Sequence, residues 1–182
     1  MRGPATVFVA LSLFVVGAAS AQDFALDTRG AVGPAGEIRV PDVNYRGEWV
    51  VLGNWITNGS EFADEIHTVY AQPEAVAAYL ENGVFPDGTV VLKELLSAEA
   101  RDMTTGFISH ATSLNGWFVM VKDTEGRFPG NPLWGDGWGW AKFTADAPDQ
   151  TFTQDYEAEC RTCHVPAQDT DWLYTWGYPA LR

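Results

Sequence analysis

Short apolar runs of the β type, separated by turn residues, constrain the fold of this chain more than any other feature of its sequence. Between residues 65 and 145 each run ends near a cluster of Gly, Asn, Asp or Pro, and one segment of helical periodicity interrupts them. Short strands that follow one another without long intervening helices predict an antiparallel sheet with a few attached helices. We therefore expect an α+β fold, mainly antiparallel β-sheet.

The same patterns predict the individual elements. One helix carries apolar residues at helical spacing from Tyr45 to Leu52 and stops at Gly53. A second begins with Pro73 in its first turn and ends before Gly83. Five strands are predicted: EIHTVYA, GTVVLKELLSA, GFISHA, GWFVMVKD and GWGWAKFTA.

The first residues of the sequence have the pattern that is typical of an export signal. Residues 1–21 combine one basic residue, an apolar run and the ending Ala19-Ser20-Ala21, which fits a cleavage site before Gln22. A retained membrane anchor is the weaker alternative, because the run is short for a bilayer span. We expect a periplasmic protein with an extended lead-in over residues 22–40 and one domain over residues 41–182.

The formal net charge of −13 argues against some partners. Nucleic acids and anionic membranes reward clusters of Lys and Arg, so neither is expected to bind. Cationic partners or small neutral ligands are more compatible with this negative charge, although a role in solubility alone explains the charge equally well. Eight tryptophans and ten phenylalanines fit a core that encloses a large flat group, or an aromatic-rich sheet.

Both cysteines lie in one motif near the C-terminus. Cys160-Arg161-Thr162-Cys163-His164 has the C-x-x-C-H spacing by which c-type haem is attached. Two thiols three residues apart on a helical turn can each bond one vinyl group, and the following imidazole can bind iron. A redox pair would follow a strand in a βαβ unit, a structural zinc site would need four ligands, and a disulfide would leave His164 unexplained. The motif therefore predicts one covalent haem c per chain.

The sixth iron ligand decides what such a haem does. Methionine or histidine ligands would have to come from upstream of the motif, and for each candidate an ordinary core or surface role fits better. We therefore favour five-coordinate iron with an open face. The candidate donors are His67, Met103, His110 and Met120.

The stretch EIHTVYAQPEAVAAYLENGVFPDGTVVLKELLSA, with MVKD and the terminal ECRTCH motif, resembles the cytochrome P-460 family, which includes cytochromes c′-beta. The resemblance runs from about Tyr45 to the C-terminus. It implies a largely antiparallel β fold, usually a homodimer, and a five-coordinate haem bound by His164. Enzymatic members oxidise hydroxylamine and pass electrons to a soluble acceptor. Their lysine crosslink to the porphyrin edge matches Lys93.

Lys93 is also notable without the resemblance. On a strand it shares a face with Val91 and Leu95, while Val90 and Glu94 point the other way. A lysine on an apolar face needs a partner, which a haem edge, a carboxylate or solvent could each provide.

Hydroxylamine oxidation releases protons, so a base beside the open iron face would help. Asp155, Glu157 and Glu159 precede the haem motif, and Asp155 falls about where the enzymatic members place a distal-pocket residue. Favourable placement at a helix N-terminus explains these acids equally well. The gas-binding relatives line this face with phenylalanines instead, for which this chain offers Phe62, Phe85, Phe107, Phe118 and Phe143.

Three functions remain open on these residues. The first is a hydroxylamine-oxidising or nitrogen-oxide-handling enzyme with Lys93 and Asp155 as catalytic residues. The second is a protein that binds NO or CO without turnover. The third is an electron carrier, which requires a sixth protein ligand.

Overall fold

The computed structural model describes residues 23–59 and 63–182. The predicted signal peptide and Phe62 lie outside the described residues. Six strands form one antiparallel sheet in the order β1-β2-β3-β4-β6-β5, and the helices are few and short. The predicted α+β class, mainly antiparallel sheet, is confirmed. Among the described residues, no helix has both the length and the apolar character needed to span a membrane.

The described residues form six strands and a few short helices. The strands are β1 (Val50–Asn58), β2 (Ala63–Ala71), β3 (Val90–Met103), β4 (Gly106–Lys122), β5 (Trp134–Gly135) and β6 (Trp138–Thr144). The helices are α1 (Tyr45–Glu48), α2 (Pro73–Asn82), a π-turn (Glu157–Arg161), α3 (Thr162–His164) and three 3₁₀ turns (Val165–Thr170, Thr175–Gly177 and Pro179–Leu181).

Helix α2 matches its sequence prediction. Pro73 occupies the first turn, where its missing N–H costs nothing. The helix ends at Gly83, whose φ of 74° is the left-handed conformation that glycine adopts without strain.

The helix predicted from Tyr45 to Gly53 is wrong beyond its first turn. Only α1 is helical, and β1 begins at Val50. Trp49 and Leu52 pack on opposite sides of the sheet, whereas a helix would have placed them on one side. The spacing of these apolar residues fits a helix or a strand, and the pairing of β1 with β2 selects the strand.

The single strand β4 contains two segments that the sequence predicts as separate strands, GFISHA and GWFVMVKD. Gly116 sits where the register with β3 shifts, at a φ of 155°. A Cβ there would lie 2.1 Å from the carbonyl oxygen of Phe143. The glycine therefore marks a bulge within one strand and does not end it.

The sheet buries residues on both faces. On the first, here called the cavity face, Val69, Val91 and Met120 pack against α2 and the C-terminal segment, residues 157–182. On the second face, Leu92 and Val119 pack against residues from the predicted lead-in and from α1. The alternation of β3 thus directs Lys93 to the cavity face and Glu94 to the second face, where Glu94 is 2 % exposed.

Candidate functional site

A cavity of about 440 Å³ lies between the cavity face of the sheet and the C-terminal segment. Its volume falls in the range of about 300–1,000 Å³ that is usual for ligand and cofactor pockets. Aromatic and aliphatic side chains form most of its wall. The lining residues that carry chemical groups of interest are Thr57, His67, Lys93, Glu159, Cys160, Cys163, His164 and Tyr174.

The C-x-x-C-H motif contributes both cysteines and its histidine to this cavity. The motif winds through the π-turn into α3, which brings the three side chains to one side of the backbone. Cys160 and Cys163 are free thiols, the first buried and the second exposed. Burial raises the pKa of the Cys160 thiol, which therefore stays protonated at neutral pH.

One hydrogen bond orients His164. Its Nδ1 lies 2.6 Å from the carbonyl oxygen of Trp172, so the ring donates its Nδ1 proton to that carbonyl. Burial lowers the pKa of His164, which favours the neutral ring. Its Nε2 therefore carries a lone pair, which is the arrangement of a metal-ligating histidine held by an outer partner.

The backbone that supplies this carbonyl is strained. Asp171 and Trp172 have φ values of 57° and 65°, a conformation that is rare for a residue as bulky as tryptophan. The Asp171 carboxylate accepts hydrogen bonds from Lys122 Nζ at 2.5 Å and from Trp138 Nε1 at 3.2 Å. These two contacts tie the strained turn to the sheet and so fix the carbonyl that faces His164.

Lys93 reaches the same cavity from β3. It pairs in register with Val69 of β2 and Phe118 of β4, and its Nζ lies 4.6 Å from the centre of the Phe118 ring. Burial lowers the pKa of Lys93. Within the described residues, Lys93 forms no salt bridge. A buried amine with a lowered pKa is more often neutral, and the neutral amine is a nucleophile.

These residues fit a haem on the chemistry of the donor set. Two free thiols, a neutral imidazole with Nδ1 already bonded, and a mainly apolar cavity are what a covalently attached porphyrin requires. Trp140 adds a flat wall, with its ring 5.0 Å from the His164 ring centre in an edge-to-face arrangement.

The structure does not bring Asp155 to the cavity. The side chain is exposed, and its carboxylate accepts a hydrogen bond from the backbone N–H of Glu157 at 2.9 Å. This contact is the helix N-terminal role that the sequence also allowed. Of the three acids before the motif, only Glu159 lines the cavity. The catalytic role of Asp155 stays a prediction.

The other candidate donors divide between cavity and surface. Met120 and His67 line the cavity, whereas Met103 and His110 lie toward the solvent-exposed turn between β3 and β4. Among the described candidate phenylalanines, Phe118 lines the cavity. Phe85 and Phe143 are buried elsewhere, and Phe107 is exposed.

Sequence reasoning undervalued His67, which it treated as an ordinary surface residue. The side chain is 12 % exposed, and its Nε2 lies 3.0 Å from Glu65 Oε2. The signal that could have found it is strand alternation, because His67 shares a face with Val69, which lines the cavity and pairs with Lys93.

Comparison with known proteins gives one clear match. Residues 43–175, which are most of the chain, match the family model described as Cytochrome P460. No curated protein matched the chain significantly.

Proposed function

The chain belongs to the cytochrome P460 family of haem proteins, and from that membership we propose that it carries one covalent haem c and oxidises hydroxylamine or handles related nitrogen oxides. One observation carries the proposal. The buried amine of Lys93, whose pKa burial lowers, shares a single cavity with both thiols and with His164. A simple c-type cytochrome needs the thiols and an iron ligand but has no use for a buried lysine.

The residues have separate roles in this proposal. Cys160 and Cys163 would form thioethers by adding their S–H groups across the two vinyl groups of the porphyrin, and His164 would bind iron through Nε2. Lys93 would lie beside the porphyrin edge. A bond from its amine to a porphyrin carbon would replace one N–H and one C–H bond, release two protons and require a two-electron oxidant. A bound haem would supply the redox chemistry of hydroxylamine oxidation, with a soluble acceptor taking up the electrons.

The polypeptide supplies the surroundings of that chemistry. The apolar wall excludes water, which strengthens every polar interaction inside the cavity. The Trp172 carbonyl holds the His164 ring in one orientation, in which Nε2 would be the nitrogen available to iron.

Anaerobic mixing tests the proposal. Purified haem-loaded protein is incubated with hydroxylamine and a soluble oxidant, and the concentrations of hydroxylamine and of the oxidant are measured over time. Consumption of hydroxylamine with matching reduction of the oxidant is expected. Absence of turnover in protein that carries its full haem would refute the enzymatic proposal.

Gas binding without turnover is the alternative, and Phe118 favours it. This ring lines the cavity, and an apolar group there suits NO or CO. An electron carrier would instead use Met120 or His67, which also line the cavity, as a sixth ligand. A ferrous spectrum that CO changes excludes the electron carrier, and tight NO binding without hydroxylamine consumption selects the gas-binding protein.

We also propose export to the periplasm and a homodimer. The first rests on residues 1–21, and fractionation of cells followed by N-terminal sequencing should give periplasmic protein that begins at Gln22. The second is supported by β1, a strand at the edge of the sheet with exposed Val51 and Ile56 side chains. Light scattering of the purified protein should give twice the mass of one chain.

A further inference from the structure

A polar pair interrupts the mainly apolar wall of the cavity. His67 of β2 lines the cavity, and its Nε2 lies 3.0 Å from Glu65 Oε2. The other oxygen of that carboxylate, Oε1, accepts a hydrogen bond from Asn115 Nδ2 at 2.8 Å. The carboxylate is therefore held from β4 while it holds the imidazole, so the ring has a defined orientation.

This arrangement fixes the protonation pattern of the His67 ring. A carboxylate accepts hydrogen bonds, so Nε2 carries the proton that it donates to Glu65. In the neutral ring Nδ1 then has the lone pair. No hydrogen bond joins Nδ1 to any other residue of the described ranges 23–59 and 63–182. An imidazole oriented by a carboxylate, with its second nitrogen free, is the arrangement of a general base.

The charges around the pair suit a base. Glu65 stabilises a positive ring directly, and the hydrogen bond from His67 is the main cause that lowers the pKa of Glu65. Two lysines also lie near the pair. Lys142 of β6 lowers the pKa of Glu65 further, and Glu65 in turn opposes the burial that lowers the pKa of Lys93. Glu65 therefore stays ionised and available to His67.

We propose that His67, oriented by Glu65, accepts a hydrogen bond and then a proton from a small N–H or O–H ligand held in the cavity. The inference rests on the proposed function and deepens it, because it assigns the proton acceptor for hydroxylamine. In this step the O–H or N–H bond of the ligand breaks and an N–H bond forms at His67 Nδ1. No electron moves in the step, and the resulting imidazolium is paired with the Glu65 carboxylate.

The proposal predicts selectivity between ligands. Hydroxylamine can donate to His67, whereas CO has no hydrogen to donate, so only hydroxylamine should depend on this side chain. Loss of one hydrogen bond in a cavity of low polarity corresponds to about a tenfold loss of affinity.

The test uses the haem-loaded protein and four variants. Hydroxylamine is titrated anaerobically into the ferric protein without oxidant, and CO into the ferrous protein. His67→Phe should weaken hydroxylamine binding about tenfold and Glu65→Gln about threefold, with CO affinity within about twofold of wild type. His67→Gln keeps a hydrogen-bond acceptor but not a base, so it should bind hydroxylamine nearly normally and oxidise it about a hundredfold more slowly. His110→Gln, on the exposed part of β4, is the matched control and should change neither affinity.

The outcomes separate this inference from the proposed function. Wild-type protein that binds hydroxylamine without consuming it overturns the oxidation, and the affinities of the variants still decide the role of His67. Unchanged hydroxylamine affinity in His67→Phe, with CO binding intact, overturns the inference alone. If His67→Phe also loses CO binding, the rate of hydroxylamine oxidation by His67→Gln decides the role of His67. A wild-type rate in His67→Gln overturns the inference. Wild-type protein that binds neither ligand overturns both.

Discussion

His164 Nδ1 lies 2.6 Å from the carbonyl oxygen of Trp172, eight residues further along the chain. The contact determines that Nε2 is the nitrogen of the ring that keeps its lone pair. The carbonyl belongs to a turn with two consecutive positive φ values, and its position depends on the link from Asp171 to Lys122. The orientation of the His164 ring is therefore set partly by β4, far from the C-x-x-C-H motif in sequence.

Replacing Lys122 with methionine should loosen that turn. The Asp171 carboxylate would lose its cationic partner, which is expected to lower the free energy of unfolding by about 1–3 kcal/mol. A weaker bond from His164 to Trp172 also makes the imidazole a poorer donor to iron, so the reduction potential should move to more positive values. Urea unfolding and spectroelectrochemical titration of the haem-loaded protein measure the two effects.

The control for this prediction is Arg101→Met, which removes an exposed cation near the solvent end of β3. It should leave stability and potential close to wild type. A Lys122→Met protein with reduced stability but an unchanged potential would show that the link supports the fold without orienting His164.

Replacing Lys93 with methionine tests the second haem attachment. Thioether formation needs only the two cysteines, so the variant should keep its haem. After protease digestion of wild-type protein, the peptide that contains Lys93 should remain joined to the haem-bearing peptide of the motif. In the variant these peptides should separate, and the Soret band should lie at shorter wavelength.

Lys142→Met is the matched control, since Lys142 Nζ lies 5.4 Å from the same Phe118 ring that Lys93 contacts. The control protein should keep the joined peptides. Free recovery of the wild-type Lys93 peptide would exclude the crosslink and favour the gas-binding function.

Local signals made part of the fold predictable. The limits of α2 depend on Pro73 and Gly83, whose backbone preferences act within one turn. By contrast, the spacing of Trp49 and Leu52 fits a helix or a strand, and only the pairing of β1 with β2 separates the two residues onto opposite faces. That pairing is a contact between segments, which periodicity in one segment cannot report.

The residues of the site also divide into those that local sequence signals identify and those that depend on contacts between segments. The three motif residues are adjacent in sequence, and their chemistry identifies them without a structure. His67 and Lys93 meet at the cavity because β2 and β3 pair with Val69 opposite Lys93, a register that is set by the whole sheet. For Asp155, distance along the chain from the motif could not give the direction of its side chain, which the structure turns toward Glu157.

The lowered pKa of Lys93 predicts a pH dependence of stability in protein without haem. In a Cys160→Ala/Cys163→Ala background the unfolded chain binds a proton on Lys93 up to its ordinary pKa of 10.5, whereas the folded chain releases it at lower pH. Between the two pKa values the unfolded state holds more protons, so this residue makes stability rise with pH.

Lys93→Met in that background should therefore be more stable than its parent at neutral pH, by about 1.4 kcal/mol for each unit by which the pKa is lowered. This difference in the free energy of unfolding between the variant and its parent should become smaller as the pH rises toward 10.5. Urea unfolding at several pH values in this window measures it. A difference that stays constant with pH would mean that the substitution acts through packing, and that burial does not penalise the charge.

Gly116→Ala should destabilise the protein more than any other exchange of glycine for alanine in β4. A Cβ at this position would lie 2.1 Å from the Phe143 carbonyl oxygen of β6, and the φ of 155° is unfavourable for alanine. We expect a loss of about 2–4 kcal/mol in the free energy of unfolding.

Gly106→Ala is the control for this prediction, because Gly106 has a positive φ but a Cβ there would meet nothing within 4 Å. It should lower the free energy of unfolding by about 1 kcal/mol. Equal losses of stability in the two variants would show that β4 can move away from β6 at the bulge, and that the close approach is not required.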